Sequence, residues 1–429
     1  MKNKTLKNRW LIAASAIGIH LSIGSVYAYS VMTNPVKEIF QVEGSDVKWA
    51  FKLAIFFLGL TTTFLGSWTE RVGPRKTGIT AGILYGSGML GAALAVYYSW
   101  LPLFYLSYGV LGGIGLGLGY IAPVSALVKW FPDRKGLATG MAIMGFGFSA
   151  LIFGPLMQQL FDTVGIATAF FYLGLLFMVL ITGSSLYLAP PPDNFFPGSS
   201  ETGSDESSAA VQADVSAKAA LHSGRFWYLW FMMFINISCG IALISAASPI
   251  MQQALRFTPM KAAAMVGVIG VFNGLGRLVW SGLSDYAGRI NIFIFFFLFQ
   301  ALAYYFLPKT GAEWLFLALL FTVISMYGAG FALLPAMVGD LFGTKSLGVI
   351  NGRILSSWAL AGIAGPTIYD MIMNKTGSLN ITLSIFALLF VVALILAVLM
   401  RMNVSKKLSG TGHGEKRSFL NVYSKRSAD

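Results

Sequence analysis

Two arginines in this sequence lie where a charged side chain needs a chemical reason, because each falls inside a long apolar segment. Arg277 precedes Asp285 by eight residues, and Arg353 follows Lys345 by eight. At 1.5 Å per helical residue, each arginine is about 12 Å from the charged end of its segment. Arginines at such a depth in a membrane usually face the bundle interior or a watery cavity. Two guanidinium groups at one level suit a carboxylate, which accepts two parallel hydrogen bonds from a planar guanidinium fork.

Each candidate also has a structural interpretation. Arg277 could bond to helix carbonyls instead, and Arg353 could extend along its helix to the cytoplasmic surface. His20 precedes Tyr27 by seven residues, a spacing that returns to the same helix face. If that face lines a cavity, His20 could donate to a substrate or accept a proton for symport; the alternative is a histidine hydrogen-bonded between helices. Lys52 is expected to reach the outer interface of the membrane.

The composition is that of a polytopic membrane protein. Of the 429 residues, 56% are hydrophobic and 11% are charged, whereas soluble domains contain about 25% charged residues. The net charge of +13 does not predict nucleic-acid binding, because the basic residues are scattered through short loops and both tails. One cysteine allows no disulfide within the chain, and three dispersed histidines predict no metal site. We find no catalytic set of side chains and no Walker loop, so neither enzymatic activity nor a cofactor is expected.

The apolar segments are long enough for twelve membrane helices in two sets of six. They run at about 10–32, 49–68, 78–98, 102–128, 137–160, 166–188, 226–250, 262–283, 290–307, 313–339, 349–372 and 379–400. Between the sets, a stretch of prolines followed by acidic and serine residues has the composition of a linker. The prediction is an all-α membrane protein with a six-helix bundle at 1–188, a cytoplasmic linker at 189–224, a second bundle at 225–402 and a cytoplasmic tail at 403–429.

The orientation follows from the positive charges. Most of the thirty lysines and arginines fall on the side of the predicted membrane that carries both tails. Cytoplasmic loops carry an excess of lysine and arginine, so both termini are predicted to be cytoplasmic, in a multi-pass protein of the bacterial inner membrane. The first apolar run exceeds the roughly 7 to 15 residues of a signal-peptide core, which favours a first membrane helix over a cleaved leader.

The two sets of helices also repeat in sequence. The stretch 66–76, GSWTERVGPRK, matches 281–289, SGLSDYAGR, with Gly73 aligned to Gly288. Two six-helix halves related by a pseudo-twofold axis along the membrane normal are typical of transporters whose substrate site lies between the halves. Arg277 and Arg353 align with Thr62 and Met141, so the arginines break the repeat.

The repeated loop resembles that of the major facilitator superfamily, whose pattern is G-x-x-x-[DE]-R-x-G-x-[RK]-[RK] between helices 2 and 3. The resemblance implies two pseudosymmetric six-helix bundles and a cytoplasmic gate, in which acidic side chains at helix ends accept charge-assisted hydrogen bonds from arginine. The alternative is that the loop arginines only set the topology. The residues assigned to this gate are Glu70, Arg71, Arg75, Asp133, Arg134, Asp285 and Arg289.

Within that superfamily the chain is similar to the oxalate:formate antiporter family, whose members carry small carboxylates. The similar motifs are NRW at Asn8–Trp10, Y-x-Y-S at Tyr27–Ser30, KWFPDRKGLATG from Lys129, FWYLW from Phe226, and Gly276-Arg277. The resemblance implies that Arg277 contacts the substrate from helix 8. On helix 11 the chain departs from the oxalate carrier, because Ile354 stands in place of a lysine and Arg353 is its neighbour. Aromatic cavity positions fall on Tyr27, Tyr120 and Tyr327.

These observations predict a secondary transporter of small organic anions such as oxalate, formate, lactate and pyruvate. It would act by alternating access, as an anion antiporter or a proton symporter, and as a monomer. The substrate-binding residues predicted are Arg277, Arg353, Tyr27, Tyr120, Tyr327 and His20. Two alternatives stay open: efflux of a drug or another metabolite, and a membrane sensor that binds carboxylates without transporting them.

Overall fold

The computed structural model describes residues 7–131, 135–192, 215–343 and 346–410, and helices make up nearly all of these ranges. Helix α1 has three parts: Arg9–Ile23, a 3-10 segment at Gly24–Ala28, and Ser30–Phe40. The next helices are α2 (Gly44–Phe64), α3 (Pro74–Tyr97), α4 (Leu101–Phe104, a π-helical turn at Tyr105–Leu111, and Gly112–Trp130), α5 (Lys135–Val164) and α6 (Ile166–Tyr187). A short helix, Gly66–Val72, connects α2 to α3.

The second set begins after a short helix at Ala217–Leu221. It consists of α7 (Gly224–Ala254), α8 (Pro259–Ala287), α9 (Arg289–Phe306), α10 (Glu313–Phe342), α11 (Leu347–Ile354 and Ser356–Thr376) and α12 (Leu379–Gly410). Eleven helices in the described part of the chain are long and apolar enough to cross a membrane. Helix α11 is the exception, because its longer part, although 21 residues in length, carries polar residues such as Asp370.

The helices run alternately between two faces. We call the face that holds the start of α1, the end of α6 and the start of α7 the terminal face, and the other the opposite face. On the terminal face, Lys7 Nζ donates to the Tyr187 carbonyl at 2.8 Å, which joins the start of α1 to the end of α6. On the opposite face, Lys261 and Glu313 form an exposed ion pair at 2.9 Å, which joins the starts of α8 and α10.

The sequence repeat is visible in the backbone. Gly73 and Gly288, aligned in the repeat, each precede the first residue of a helix with φ of 87° and 83°. Side chains other than glycine rarely adopt a positive φ, so the tight turn into α3 and the turn into α9 both depend on glycine. The loops that carry the repeated motif therefore fold alike in the two halves.

Between the halves, α5 packs along α8 and α2 packs along α11. Small residues permit these close crossings. A Cβ atom on Gly147 would lie 2.6 Å from Gly274 Cα, and one on Gly59 would lie 2.6 Å from the Ala359 nitrogen. The two bundles thus meet backbone to backbone at both crossings.

The close approach of α2 and α11 at Gly59 predicts that one added methyl group lowers the stability of the protein. Gly59→Ala should lower the melting temperature of the purified protein, because overpacking against the Ala359 backbone costs about 1–3 kcal/mol. Gly183→Ala in α6 is the matched control, since nothing lies within 4 Å of a Cβ there. Equal melting temperatures of the two variants in a thermal unfolding scan would contradict the close packing of α2 on α11.

Candidate functional site

The central site begins at the break in α1. The 3-10 segment Gly24–Ala28 carries Tyr27, whose hydroxyl lies 2.9 Å from the Tyr327 hydroxyl of α10. The two rings belong to opposite halves, and both are buried. This contact between phenols therefore marks the place where the two bundles meet at the centre of the protein.

Arg277 of α8 lies beside these phenols and is only 4% exposed. Its Nη1 donates to the Ile143 carbonyl of α5 at 3.0 Å, and its guanidinium carbon lies 5.7 Å from the centroid of the Phe331 ring. Its Nε has no hydrogen-bond partner. Among the residues that the structure describes, no carboxylate is within ion-pair distance of Arg277. The arginine is thus a buried cation without a protein counter-ion there.

A second buried donor belongs to the same cluster. Trp358 of α11 is 1% exposed, and its indole N–H has no hydrogen-bond partner in the described part of the chain. Its ring centroid is 4.7 Å from that of Phe331, the ring that also contacts Arg277. Indole and guanidinium nitrogens only donate hydrogen bonds. The groups left unsatisfied at this place call for a ligand that accepts them.

Aromatic rings enclose these donors. Phe146 of α5 packs edge to face on Tyr27 with centroids 4.8 Å apart, and Tyr120 of α4 packs on Trp358 at 5.5 Å. His20 of α1 is buried and packs on Tyr120 at 5.6 Å. The structure therefore brings five predicted residues into one cluster: Arg277, Tyr27, Tyr120, Tyr327 and His20. The sequence analysis did not single out Phe146, Phe331 or Trp358, and with 34 phenylalanines in the chain it had no signal for which aromatic residues would meet there.

Arg353 does not join this cluster. It lies in the first part of α11, and its Nη1 donates to the Ala217 carbonyl at 2.6 Å. Ala217 begins the short helix that precedes α7 at the terminal face. Arg353 was predicted to contact the substrate or to extend to the cytoplasmic surface, and its bond to Ala217 accounts for its guanidinium outside the cluster. The central cluster consequently has one guanidinium.

The described residues among those predicted for the cytoplasmic gate lie at the terminal face. Arg289 contacts Asp285 at 3.2 Å and also forms an ion pair with Asp340 at the end of α10. This pair links α9 to α10 within the second half. The side chains of Glu70, Arg71 and Arg75 are exposed at the same face.

Two further predicted gate residues, Asp133 and Arg134, lie outside the described residues. At the same face, burial and the positive charge of Arg75 lower the pKa of the Lys7 ammonium.

The opposite face holds an ion cluster that the sequence analysis missed. Lys48 and Lys52 of α2 both contact the Asp370 carboxylate of α11, at 2.7 Å and 2.9 Å. Lys52 was expected at the membrane interface, but it is 2% exposed. Its partner is 318 residues away in sequence, beyond the reach of any local pattern.

Comparison with known proteins identifies this architecture. A solved structure of a bacterial homologue of the human lysosomal transporter Spinster, in an inward-facing and unoccupied conformation, superposes with a TM-score of 0.65 at 15% identity, over 91% of this chain and 95% of that one. This likeness confirms the predicted fold of twelve helices in two six-helix bundles.

Relatives in sequence agree with the fold. The oxalate:formate antiporter of Oxalobacter formigenes is 28% identical over 377 residues, 87% of this chain and 87% of that protein. The apicoplast pyruvate carrier 1 of Toxoplasma gondii is 28% identical over 394 residues, 78% of this chain and 71% of that protein. The resemblance noted from the motifs is thereby confirmed.

The family model described as Major Facilitator Superfamily matches residues 15–366. That range extends from α1 into α11 and includes every residue of the central cluster. The match identifies a transporter rather than an enzyme. The chain belongs to the Major Facilitator Superfamily.

Proposed function

We propose that this protein carries small carboxylates across the membrane by alternating access around the central cluster. The observation that carries the proposal is Arg277, a buried guanidinium for which the described residues offer no carboxylate partner. A buried charge without a counter-ion is strongly unfavourable, so an anion from outside is its natural partner. The similarity to an oxalate:formate antiporter and to a pyruvate carrier supports the same class of substrate.

The donors of the site fit one carboxylate group. Arg277 Nε and Trp358 Nε1 are free to donate, and the hydroxyls of Tyr27 and Tyr327 lie between the two halves. With Arg353 bonded at the terminal face, one guanidinium balances one negative charge. Monocarboxylates such as formate, lactate and pyruvate are therefore favoured over the oxalate dianion, and the surrounding rings accommodate a small apolar substituent.

During the transport cycle, the cluster is open first to one face of the membrane and then to the other. At the opposite face, α2 and α11 are joined by the ion cluster of Lys48, Lys52 and Asp370, so this face is closed in the structure. Rocking of one bundle against the other moves the contact from one face to the other while the site stays between them. Bound anion neutralises Arg277, which lowers the cost of moving the loaded site past apolar neighbours.

The terminal face is cytoplasmic in this proposal, because it carries most of the lysines and arginines. The protein then acts as a monomer in the bacterial inner membrane, with bundles at 1–188 and 225–402, a cytoplasmic linker at 189–224 and a cytoplasmic tail at 403–429. Transport proceeds as anion exchange or as symport with a proton. His20, which packs on Tyr120 inside the cluster, is the group that would accept the proton.

Counterflow in liposomes tests the role of Arg277. Labelled formate, lactate, pyruvate and oxalate are offered to the reconstituted protein, with and without a pH gradient, and acceleration by the gradient identifies symport. Arg277→Ala should abolish counterflow, and Arg277→Lys should weaken it, because lysine keeps the charge but loses the planar fork. Arg353→Gln removes a guanidinium outside the cluster and should leave counterflow intact. Wild-type rates in Arg277→Ala would exclude this arginine from the site, and no flux of any anion would refute the proposal.

Trp358 offers a second test that leaves the charge unchanged. Trp358→Phe keeps an aromatic ring against Phe331 but removes the indole donor. A hydrogen bond to a charged group contributes about 1.5–3 kcal/mol, so the KM for pyruvate should rise roughly tenfold or more. Trp314→Phe, at an exposed position of α10, is the matched control. Equal KM values for both variants would mean that the Trp358 N–H does not contact the substrate.

A further inference from the structure

The ion cluster at the opposite face holds one carboxylate between two ammonium groups. Lys48 Nζ lies 2.7 Å from Asp370 Oδ1, and Lys52 Nζ lies 2.9 Å from Oδ2. The first contact is a hydrogen bond; the second has the distance of an ion pair but not the alignment of a hydrogen bond. Each oxygen of the carboxylate thus faces its own cation.

The cluster carries more positive charge than negative. Asp370 is the only acidic side chain that is buried in the part of the chain the structure describes, and it faces both lysines. Tyr369 and Trp49 cover the ammonium groups, with ring centroids 5.0 Å from Lys48 Nζ and 4.6 Å from Lys52 Nζ. Neither ring supplies a formal negative charge. With both ammonium groups protonated, the buried carboxylates of the described residues leave one unit of positive charge unbalanced.

The two kinds of charge sit on different halves of the protein. Lys48 and Lys52 are four residues apart on α2, so both point from one helix face. Asp370 belongs to α11 in the second half. When the halves separate at the opposite face, the carboxylate leaves with α11 and the two ammonium groups stay together on α2.

We propose that Lys48 and Lys52 form an anion-binding site at the opposite face, which Asp370 fills while that face is closed and which a small external anion fills when it opens. The Asp370 carboxylate stands in for the carboxylate of a ligand, held by the same two cations. A site of this kind concentrates anions at the mouth of the central cavity, because clustered charge of one sign raises the local concentration of its counter-ions. External anions also compensate the lysines that opening leaves unpaired, which favours the open state.

The test measures charge selectivity at a reporter cysteine just below the lysines. Ile55 of α2 is fully buried and contacts Gly362 of α11, so a cysteine there reacts only when the helices separate. Cys239→Ser removes the native thiol, and Ile55→Cys provides the reporter. This double variant is the parent in which the further substitutions are made. The protein, in nanodiscs of neutral phosphatidylcholine, is labelled with anionic sulfonatoethyl or cationic trimethylammonioethyl methanethiosulfonate. The quantity compared is the ratio of the anionic to the cationic labelling rate.

The ratio should follow the charge of the cluster. It should rise in Asp370→Asn, fall in Lys48→Gln, and fall further in the double variant Lys48→Gln/Lys52→Gln, by about fivefold for each unit of charge. Lys261→Gln/Lys309→Gln removes two exposed lysines elsewhere on the opposite face and should leave the ratio unchanged. Lys48→Gln retains a neutral pair of Lys52 with Asp370, so its comparison with the parent decides the matter even where Asp370→Asn does not fold.

Two results would overturn the proposal. A ratio that is the same in the parent and both lysine variants would show that the lysines only latch the helices together. Absence of labelling in every folded variant would show that α2 and α11 do not separate at this level. Charge selectivity does not require transport, so the anion site can hold even where counterflow of carboxylates fails.

Discussion

The positive charge of Arg277 among apolar helices is the constraint on which the central arrangement depends. Moving an arginine to the middle of a membrane helix costs about 2.5–3.5 kcal/mol on insertion scales. The protein offsets part of that cost with the Ile143 carbonyl and the face of the Phe331 ring. It leaves Nε unbonded and supplies no carboxylate from its described residues. A buried cation with an unbonded donor is the arrangement that the transport proposal requires.

The scaffold around this charge is symmetric, whereas the charge is not. Gly73 and Gly288 make equivalent turns with positive φ in the two halves. Arg277 has only Thr62 as its counterpart in the repeat. The second half thereby supplies the cation, and the first half supplies Tyr27, His20 and Phe146 as part of the wall. A ligand held there as proposed would touch both bundles, which would couple its binding to their rocking.

Sequence reasoning predicted those residues of the central cluster that local pattern determines. Depth in an apolar segment identified Arg277, and family resemblance placed Tyr27, Tyr120 and Tyr327. It also predicted Arg353 at the site, whereas Arg353 donates to the Ala217 carbonyl, a partner that no local pattern in the sequence specifies.

Contacts between side chains that are far apart in the sequence could not be predicted either. Lys52 is buried against Asp370, and Trp358 packs on Phe331, and in each pair the partner comes from another helix. The aromatic content of the chain is too high for such a partner to be chosen from sequence alone.

The most direct test of the account is a thermal-shift titration of the purified protein and Arg277→Gln with pyruvate. Without ligand, Arg277→Gln should melt at the same temperature as the wild-type protein or higher, because it removes a buried charge that lacks a counter-ion. Added pyruvate should raise the melting temperature of the wild-type protein in proportion to the logarithm of the pyruvate concentration above Kd. It should leave the melting temperature of Arg277→Gln unchanged. Equal stabilisation of both proteins by pyruvate would contradict the claim that Arg277 holds the substrate anion.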